Sequence, residues 1–555
     1  MASTERRPLL GDNVSSRYSA LDDGDDSASD TSTLTETIYP PPLNDFSTID
    51  TCWILAGLWS AVFLGALDGS TVVATLLSPI GSDYERLNQS SYIGTSYLLS
   101  VCCFTPLYGR LSDILGRKGA MLLALSLFGS GTLFCAFAPS MEALIMARAV
   151  AGMGGGGVMT VSSIVVTDLI PLKQRGLYQG MANILFGLGA GIGGPLGGWI
   201  NDSLGWRAAF LLQAPVLLFS FVIVSLKVNI KLPSEIQNQS LRDKFRRVDF
   251  LGSLTLVCTV GCLLLGFSLK TTEQMPWSHP WIWGLFVASA ISGILFVVVE
   301  KYISPYPVMP LRLITQRTPL AVSMSNFFGS MAAFSTVLVP LNEIAQYFTA
   351  VRLYSAAESG FHLLPHSIAI STGSVFAGWM MRRTGKLYTL TLYSGFMCIL
   401  ASIMIIFWKE STSPIHLWID IVPQGFGMAS LITTTLIAMI AGVVKEDMAV
   451  ATGITYLFRT TGQVLGVSTS GAILQAVLLQ KLRLRIEGPV CEFRPHFTEI
   501  IFRHSTKIIS TLDPINKAAA ISSYADALRI VFICQAVWNF LAFLWCIPIQ
   551  ENTLP

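Results

Sequence analysis

The chain has 555 residues, of which 52% are apolar and only 13% charged, with a formal net charge of +2. Soluble domains carry roughly 25% charged residues, so this composition leaves long stretches able to cross hydrocarbon, and the balanced charge excludes a basic nucleic-acid face. Of the ten cysteines, Cys102, Cys103, Cys135, Cys258, Cys262 and Cys398 lie inside apolar segments and Cys491 stands alone in a polar one, so neither a disulfide framework nor metal-ligand spacing is visible.

Residues 1–50 are dominated by Ser, Thr, Asp and Pro, too polar to bury a core, and read as a disordered cytosolic tail. Two patterns in it look like addresses for sorting adaptors. Glu5-Arg6-Arg7-Pro8-Leu9-Leu10 has acidic dileucine spacing, carried by Glu5, Leu9 and Leu10, and Tyr18-Ser19-Ala20-Leu21 pairs a tyrosine with a bulky apolar residue. Both are short, and an inert tail is the alternative. No positively charged cleavable leader opens the chain, so the first apolar segment is expected to direct insertion.

A membrane helix needs about 20 mainly apolar residues. Windows of that size predict fourteen spans, near 52–75, 91–109, 119–138, 141–167, 177–200, 207–227, 250–270, 281–300, 319–341, 355–381, 387–408, 415–443, 449–478 and 527–547. The two at 250–270 and 281–300 are dispensable to a twelve-helix core. With the N-terminus in the cytosol, 18 Lys and Arg fall in cytosolic loops and 5 in the short opposite loops, while the polar stretch 481–526 adds 7 to the far side. The positive-inside rule therefore places both termini in the cytosol. The expected organisation is a tail at 1–50, a six-helix bundle at 51–230, two linker helices at 249–300, and a second six-helix bundle at 318–550 with a luminal loop at 481–526.

One loop recurs. Gly109-Arg110-Leu111-Ser112-Asp113-Ile114-Leu115-Gly116-Arg117-Lys118 separates the second and third spans, and Gly378-Trp379-Met380-Met381-Arg382-Arg383-Thr384-Gly385-Lys386 separates the tenth and eleventh. Each copy has two glycines seven residues apart and a basic residue directly after the second, although the second copy lacks the acidic residue. Such a parallel repeat, with a site at the interface of the two halves, is a transporter architecture.

Several motifs then resemble the major facilitator superfamily, in order along the chain. Gly109–Lys118 resembles its loop between helices two and three. Leu144-Ile145-Met146-Ala147-Arg148 followed by Gly152 resembles its fourth-helix motif, and Gly189-Ala190-Gly191-Ile192-Gly193-Gly194-Pro195-Leu196-Gly197-Gly198 its fifth-helix antiporter motif. Leu67-Asp68-Gly69-Ser70-Thr71-Val72-Val73 resembles the first helix of the fourteen-span drug:proton antiporters. Within that group, Asp447–Gln475 and the dileucine tail look most like fungal vacuolar basic amino acid transporters, a pattern that fungal drug exporters largely share. The resemblance covers about residues 50–550. It implies an all-α polytopic membrane protein of the major facilitator fold, two six-helix bundles plus two central helices, working by alternating access.

Asp68 is the first candidate for chemistry, because an ionisable side chain in mid-span is expensive and usually faces a cavity or a partner. At about 1.5 Å per residue, Asp68 lies about 24 Å and Arg148 roughly 20 Å from the cytosol, so they sit at similar depth. Asp68 is expected to hold a proton or the cationic substrate, with Arg148 favouring its ionised form; a purely structural ion pair is the alternative. Competition between proton and cation for one carboxylate would give exchange. Gly109, Asp113, Gly116, Arg117 and Lys118 are expected to latch the cytosolic side, with Asp168 as a partner, against the plainer reading of positive-inside anchoring. Gly189, Gly193, Gly194, Pro195 and Gly198 are expected to serve close helix approach and conformational change. Arg459 is a candidate for orienting a substrate carboxylate and Glu343 for a second acid, each with a structural alternative. His362 and His366 share a helix face and read as packed or cavity-lining. Gly152-Met153-Gly154-Gly155-Gly156-Gly157 lacks the Lys-Ser/Thr pair of a phosphate loop. Asn88-Gln89-Ser90 is a glycosylation sequon on the far side.

The function expected is proton-coupled antiport of Lys, Arg and His from cytosol into a vacuole, in the vacuolar membrane. No metal and no cofactor are expected; a proton gradient is the drive. The partners are a small cationic substrate, protons, the lipid bilayer and sorting adaptors, with no nucleic acid. A multidrug or organic-cation exporter at the plasma membrane and a non-transporting nutrient receptor are the alternatives. An enzyme is disfavoured because no nucleophile–base or metal cluster stands out.

Overall fold

A computed structural model describes residues 47–86, 89–230, 248–271, 275–337, 343–354, 356–409, 411–485 and 514–551. Glu5, Leu9, Leu10, Tyr18, Leu21 and Asn88 lie outside the described residues. Within them the chain is helical, with no strand, as backbone in hydrocarbon requires unless it closes a barrel.

The first group of helices is α1 (Thr48–Thr71), α2 (Leu77–Asp83), α3 (Ser91–Phe137), α4 (Met141–Leu169), α5 (Leu172–Leu204), α6 (Trp206–Leu211) and α7 (Ala214–Lys227). Two predicted spans share α3, which turns at Gly116 with φ 84° and ψ 159°. A side chain there would be strained, so the glycine fixes the bend between the two spans. A π turn, Val72–Leu76, interrupts the helix between α1 and α2. Next come α8 (Phe250–Thr271) and α9 (Pro280–Val298). The last group is α10 (Arg317–Val337), α11 (Leu364–Thr384), α12 (Tyr388–Ile406), α13 (Val422–Ala441), α14 (Met448–Arg485) and α15 (Pro514–Cys546).

Ten described helices are long and apolar enough to cross a membrane, one of them the two-span α3. Beside them α5, α10 and α11, of 33, 21 and 21 residues, coincide with predicted spans but are richer in glycine and hydroxyl residues. The arrangement is compatible with fourteen crossings. The predicted loop at 481–526 is shorter than expected. α14 continues to Arg485 and α15 already begins at Pro514, because Leu478, Leu482, Ala520, Tyr524 and Ala527 bury against Tyr347, Phe348 and Trp408.

Within the first group α1 packs on α5 and α7, and α3 on α4; within the last, α10 packs on α14 and α15, and α11 on α13. The groups meet along α5 with α11 and α3 with α14, while α8 touches both α3 and α14.

Candidate functional site

The sequence placed Asp68 and Arg148 at similar depth, and the fold brings them into contact. Arg148 Nη1 donates to Asp68 Oδ2 at 2.6 Å, and both side chains are 0% exposed. Arg148 Nε reaches the Ile93 carbonyl at 3.5 Å, and its guanidinium lies 4.3 Å from the Tyr97 ring centroid, within cation–π range. Burial of two opposite charges costs several kcal/mol per ion unless their hydrogen bonds are completed. The fourth side chain helps to do that: Gln213, in the break between α6 and α7, donates from Nε2 to Asp68 Oδ1 at 3.1 Å.

Local packing explains the approach of α1, α3 and α4. The glycines of α4 let it lie flat on α3: a Cβ at Gly155 would stand 2.6 Å from the Tyr97 hydroxyl, and one at Gly156 would stand 3.0 Å from the Val101 carbonyl. All of Gly152, Gly154, Gly155, Gly156 and Gly157 are buried in this contact, which accounts for the tract as packing. On the other side of α1, a Cβ at Gly189 would lie 2.5 Å from the Phe63 carbonyl and one at Gly193 2.9 Å from that of Leu67. Hydroxyls bond the same seam: Thr71 Oγ1 donates to the Gly193 carbonyl at 2.9 Å, and Ser70 Oγ to that of Gly189 at 3.4 Å. Gly197 completes this face against Thr71 and Thr75; Gly198 makes only ordinary contact with Thr75, and Pro195 is exposed. Gly194 is half-buried.

In the loop that the positive-inside rule assigns to the cytosol, Arg117 forks between two carboxylates, Nη1 to Asp113 at 2.6 Å and Nε to Asp168 at 2.6 Å. Lys118 Nζ instead donates to Asn229 Oδ1 at 3.3 Å. Gly109 faces the other group of helices, where a Cβ would come 2.8 Å from the Ala449 carbonyl. The second copy of the loop is closed differently. Its α12 starts without an acidic residue of its own, and Glu551 from beyond α15 accepts from the backbone N–H of Leu387 and Tyr388 at 2.8 and 3.0 Å.

The seam between α5 and α11 is tight at one end only. A Cβ at Gly176 would be 3.2 Å from Gly378 Cα, and one at Gly180 3.0 Å from the Ser374 carbonyl; at Gly187 the gap to Ser371 widens to 3.8 Å. Asn183 Nδ2 donates to Ser374 Oγ at 2.8 Å. Gly191, next on the same stripe, would meet nothing within 4 Å. The helices therefore pack backbone to backbone at the Gly176 end of the seam.

Arg459, on α14, is half-buried with its guanidinium 5.5 Å from the Tyr456 ring centroid. No carboxylate lies within ion-pair distance of it among the described residues. Glu343 begins the short helix Glu343–Gln346, and its side chain lies outside the described residues. His362 stacks on Tyr354 at 5.0 Å and His366 is buried with Nδ1 against the Ile421 carbonyl, so both are packed. On the far side, sequence reading missed a lock in which Asp83 accepts from the Trp206 indole and from Arg207 at 3.1 and 2.9 Å. The Arg207 and Trp206 hydrogen bonds hold the Asp83 carboxyl below its usual range.

Residues 58–467 match the Major Facilitator Superfamily. The chain belongs to that superfamily. Its all-helical fold is the superfamily's, and it is a multi-pass membrane transporter for a small molecule, not an enzyme. It is 37% identical over 499 residues to Multidrug resistance protein fnx1 of Schizosaccharomyces pombe, covering 89% of this chain and 91% of that protein. It is also 32% identical over 452 residues to Vacuolar basic amino acid transporter 1 of Saccharomyces cerevisiae, covering 75% and 76% of the two chains. The solved structure of the human organic anion transporter MFSD10 (TETRAN) superposes with a TM-score of 0.57 at 16% identity, over 90% of this chain and 99% of that one. At that identity the likeness concerns the fold.

Proposed function

We propose that this superfamily member is a proton-coupled antiporter that carries basic amino acids from cytosol into the vacuole, with Asp68 as its proton site. The observation that carries the reading is the Asp68–Arg148 pair, wholly closed to solvent at the contact of α1 and α4. A buried carboxylate closed to solvent suits a proton better than a solvated amino acid. Protonating it dissolves the pair with Arg148, loosens α1 against α4, and so links proton occupancy to conformation. Arg459, half-buried and without a carboxylate partner among the described residues, then takes the substrate carboxylate. The tight cytosolic seam and the open far side correspond to a state that faces the lumen.

Support for vacuolar basic amino acids comes from the Saccharomyces cerevisiae relative and its name. The second reading, an organic-cation:proton exporter at the plasma membrane, is favoured by the higher identity to the multidrug resistance relative. Uptake of radiolabelled lysine, arginine and histidine into purified vacuolar vesicles decides between them. Accumulation that a protonophore abolishes, and that Asp68→Asn loses while remaining folded, is the expected result. If all three fail to accumulate in vesicles holding folded protein, the amino acid reading is wrong. Arg459→Ala sharpens the comparison: it should raise the KM for lysine about tenfold, the scale of one lost charge-assisted hydrogen bond. Cadaverine, the same cation without a carboxylate, should be unaffected as a competitor.

A further inference from the structure

We propose that Gln213 is a positioning residue for proton exchange at Asp68, an amide that partners both protonation states of the carboxyl group by turning over; this rests on the reading of Asp68 as the proton site. Gln213 is 3% exposed, and its orientation is dictated by two acceptors, since Nε2 lies 3.1 Å from both Asp68 Oδ1 and the Ala209 carbonyl. Its other end, Oε1, is buried and meets no hydrogen-bond donor among the described residues. A buried acceptor left without a donor is costly. In one circumstance the site itself can create, Oε1 gains a donor, in exchange for the Nε2 bond to the Ala209 carbonyl. A protonated Asp68 carries an O–H that needs an acceptor, and an amide is both donor and acceptor at nearly the same place. A half-turn of the Gln213 amide exchanges Nε2 for Oε1 and offers the carbonyl to that O–H. The ionised carboxylate is thus served by the Gln213 N–H and by Arg148, and the protonated one by the Gln213 carbonyl alone, with Arg148 released.

Other side chains around Asp68 do not take this part. From α4 it meets Arg148, and from α3 Tyr97 and Cys135. Between Tyr178 and Asp202, α5 carries no titratable residue; Arg207 on α6 is paired with Asp83; and Lys227, at the far end of α7, is paired with Asp50. The helix pair α10 and α15 repeats the junction in neutral form, Gln535 Nε2 donating to Ser335 Oγ at 3.0 Å. The amide recurs there beside a hydroxyl.

The test is an infrared pH titration of the full-length protein reconstituted in lipid, following the carboxylic-acid C=O band that Asp68→Asn removes. Gln213→Leu removes the donor to the charged form and the acceptor to the protonated one; the bond to the charged form is about twice as strong, so the midpoint of that band should still move up, by up to about one pH unit. Gln213→Glu keeps the shape and places a second acid within hydrogen-bond reach, where two carboxyls share a proton, so it should move the midpoint further in the same direction. Unmoved midpoints in both variants overturn the proposal while leaving Asp68 as the proton site. Failure of both variants to give monodisperse protein also overturns it, since Gln213 would then be structural. If no band disappears in Asp68→Asn, the proton-site reading itself falls.

Discussion

Asp68 and Arg148 form a pair whose members are each dangerous without the other. Removing one partner of a buried ion pair typically costs about 3–5 kcal/mol because a bare charge stays behind, whereas replacing both with apolar groups is often neutral. Arg148→Ala should therefore lower the detergent Tm sharply, and Asp68→Leu combined with Arg148→Met should restore it while abolishing proton-coupled exchange. A stable double variant that still exchanges protons would refute the role given to Asp68. Both residues were legible in the sequence because a charge inside an apolar run is conspicuous. Gln213 was not, although Leu211-Leu212-Gln213-Ala214-Pro215 does place an amide beside a helix break; an uncharged polar residue inside a span carries too little cost to stand out. Tyr97 was hidden for a related reason, being one aromatic among many.

At the level of helices, the glycine pattern was visible as a pattern, but its partners were not. Spacing by four predicts a flat face without saying which neighbour it meets. The structure assigns Gly189, Gly193 and Gly197 to α1 and Gly176 and Gly180 to α11, so one helix carries two seams on two stripes. The cytosolic seam depends on backbone contact. Gly378→Leu should hold the α5–α11 end apart, because any Cβ there runs into the Gly176 carbonyl. The expected outcome is at least a tenfold loss of exchange, on the scale of about 1.4 kcal/mol or more of lost closure, with cysteines placed on the cytosolic faces of α5 and α11 becoming reactive to impermeant reagents. Unchanged cysteine reactivity would mean that this seam does not gate. The missing acid of the second loop has a tertiary answer as well. Glu551, more than 160 residues away in sequence, caps α12, and no local pattern announces it.

For the whole molecule, α8 and α9 are the pair a duplicated core does not require, yet α8 packs against both α3 and α14 and spans the boundary between the two groups. Cys103 Sγ lies 3.8 Å from the Val257 carbonyl at that contact. Membrane destination is a property of the full chain too, and the dileucine pattern at Glu5, Leu9 and Leu10 predicts vacuolar delivery. A tagged Leu9→Ala, Leu10→Ala protein should relocate to the plasma membrane under fluorescence microscopy; vacuolar retention would show that the tail is not the address.

Composition and hydropathy alone determined membrane residence and helicity, because hydrocarbon forbids unpaired backbone. The superfamily motifs added the order of the helices. Only the tertiary structure decided which charges meet, that Gln213 completes the Asp68 site, and that α5 and α11 pack closely at Gly176 and Gly180. Those outcomes depend on side-chain contacts between helices far apart in sequence, such as Asp68 with Arg148 and Gln213, and a one-dimensional pattern carries depth in the membrane but not rotation about the helix axis.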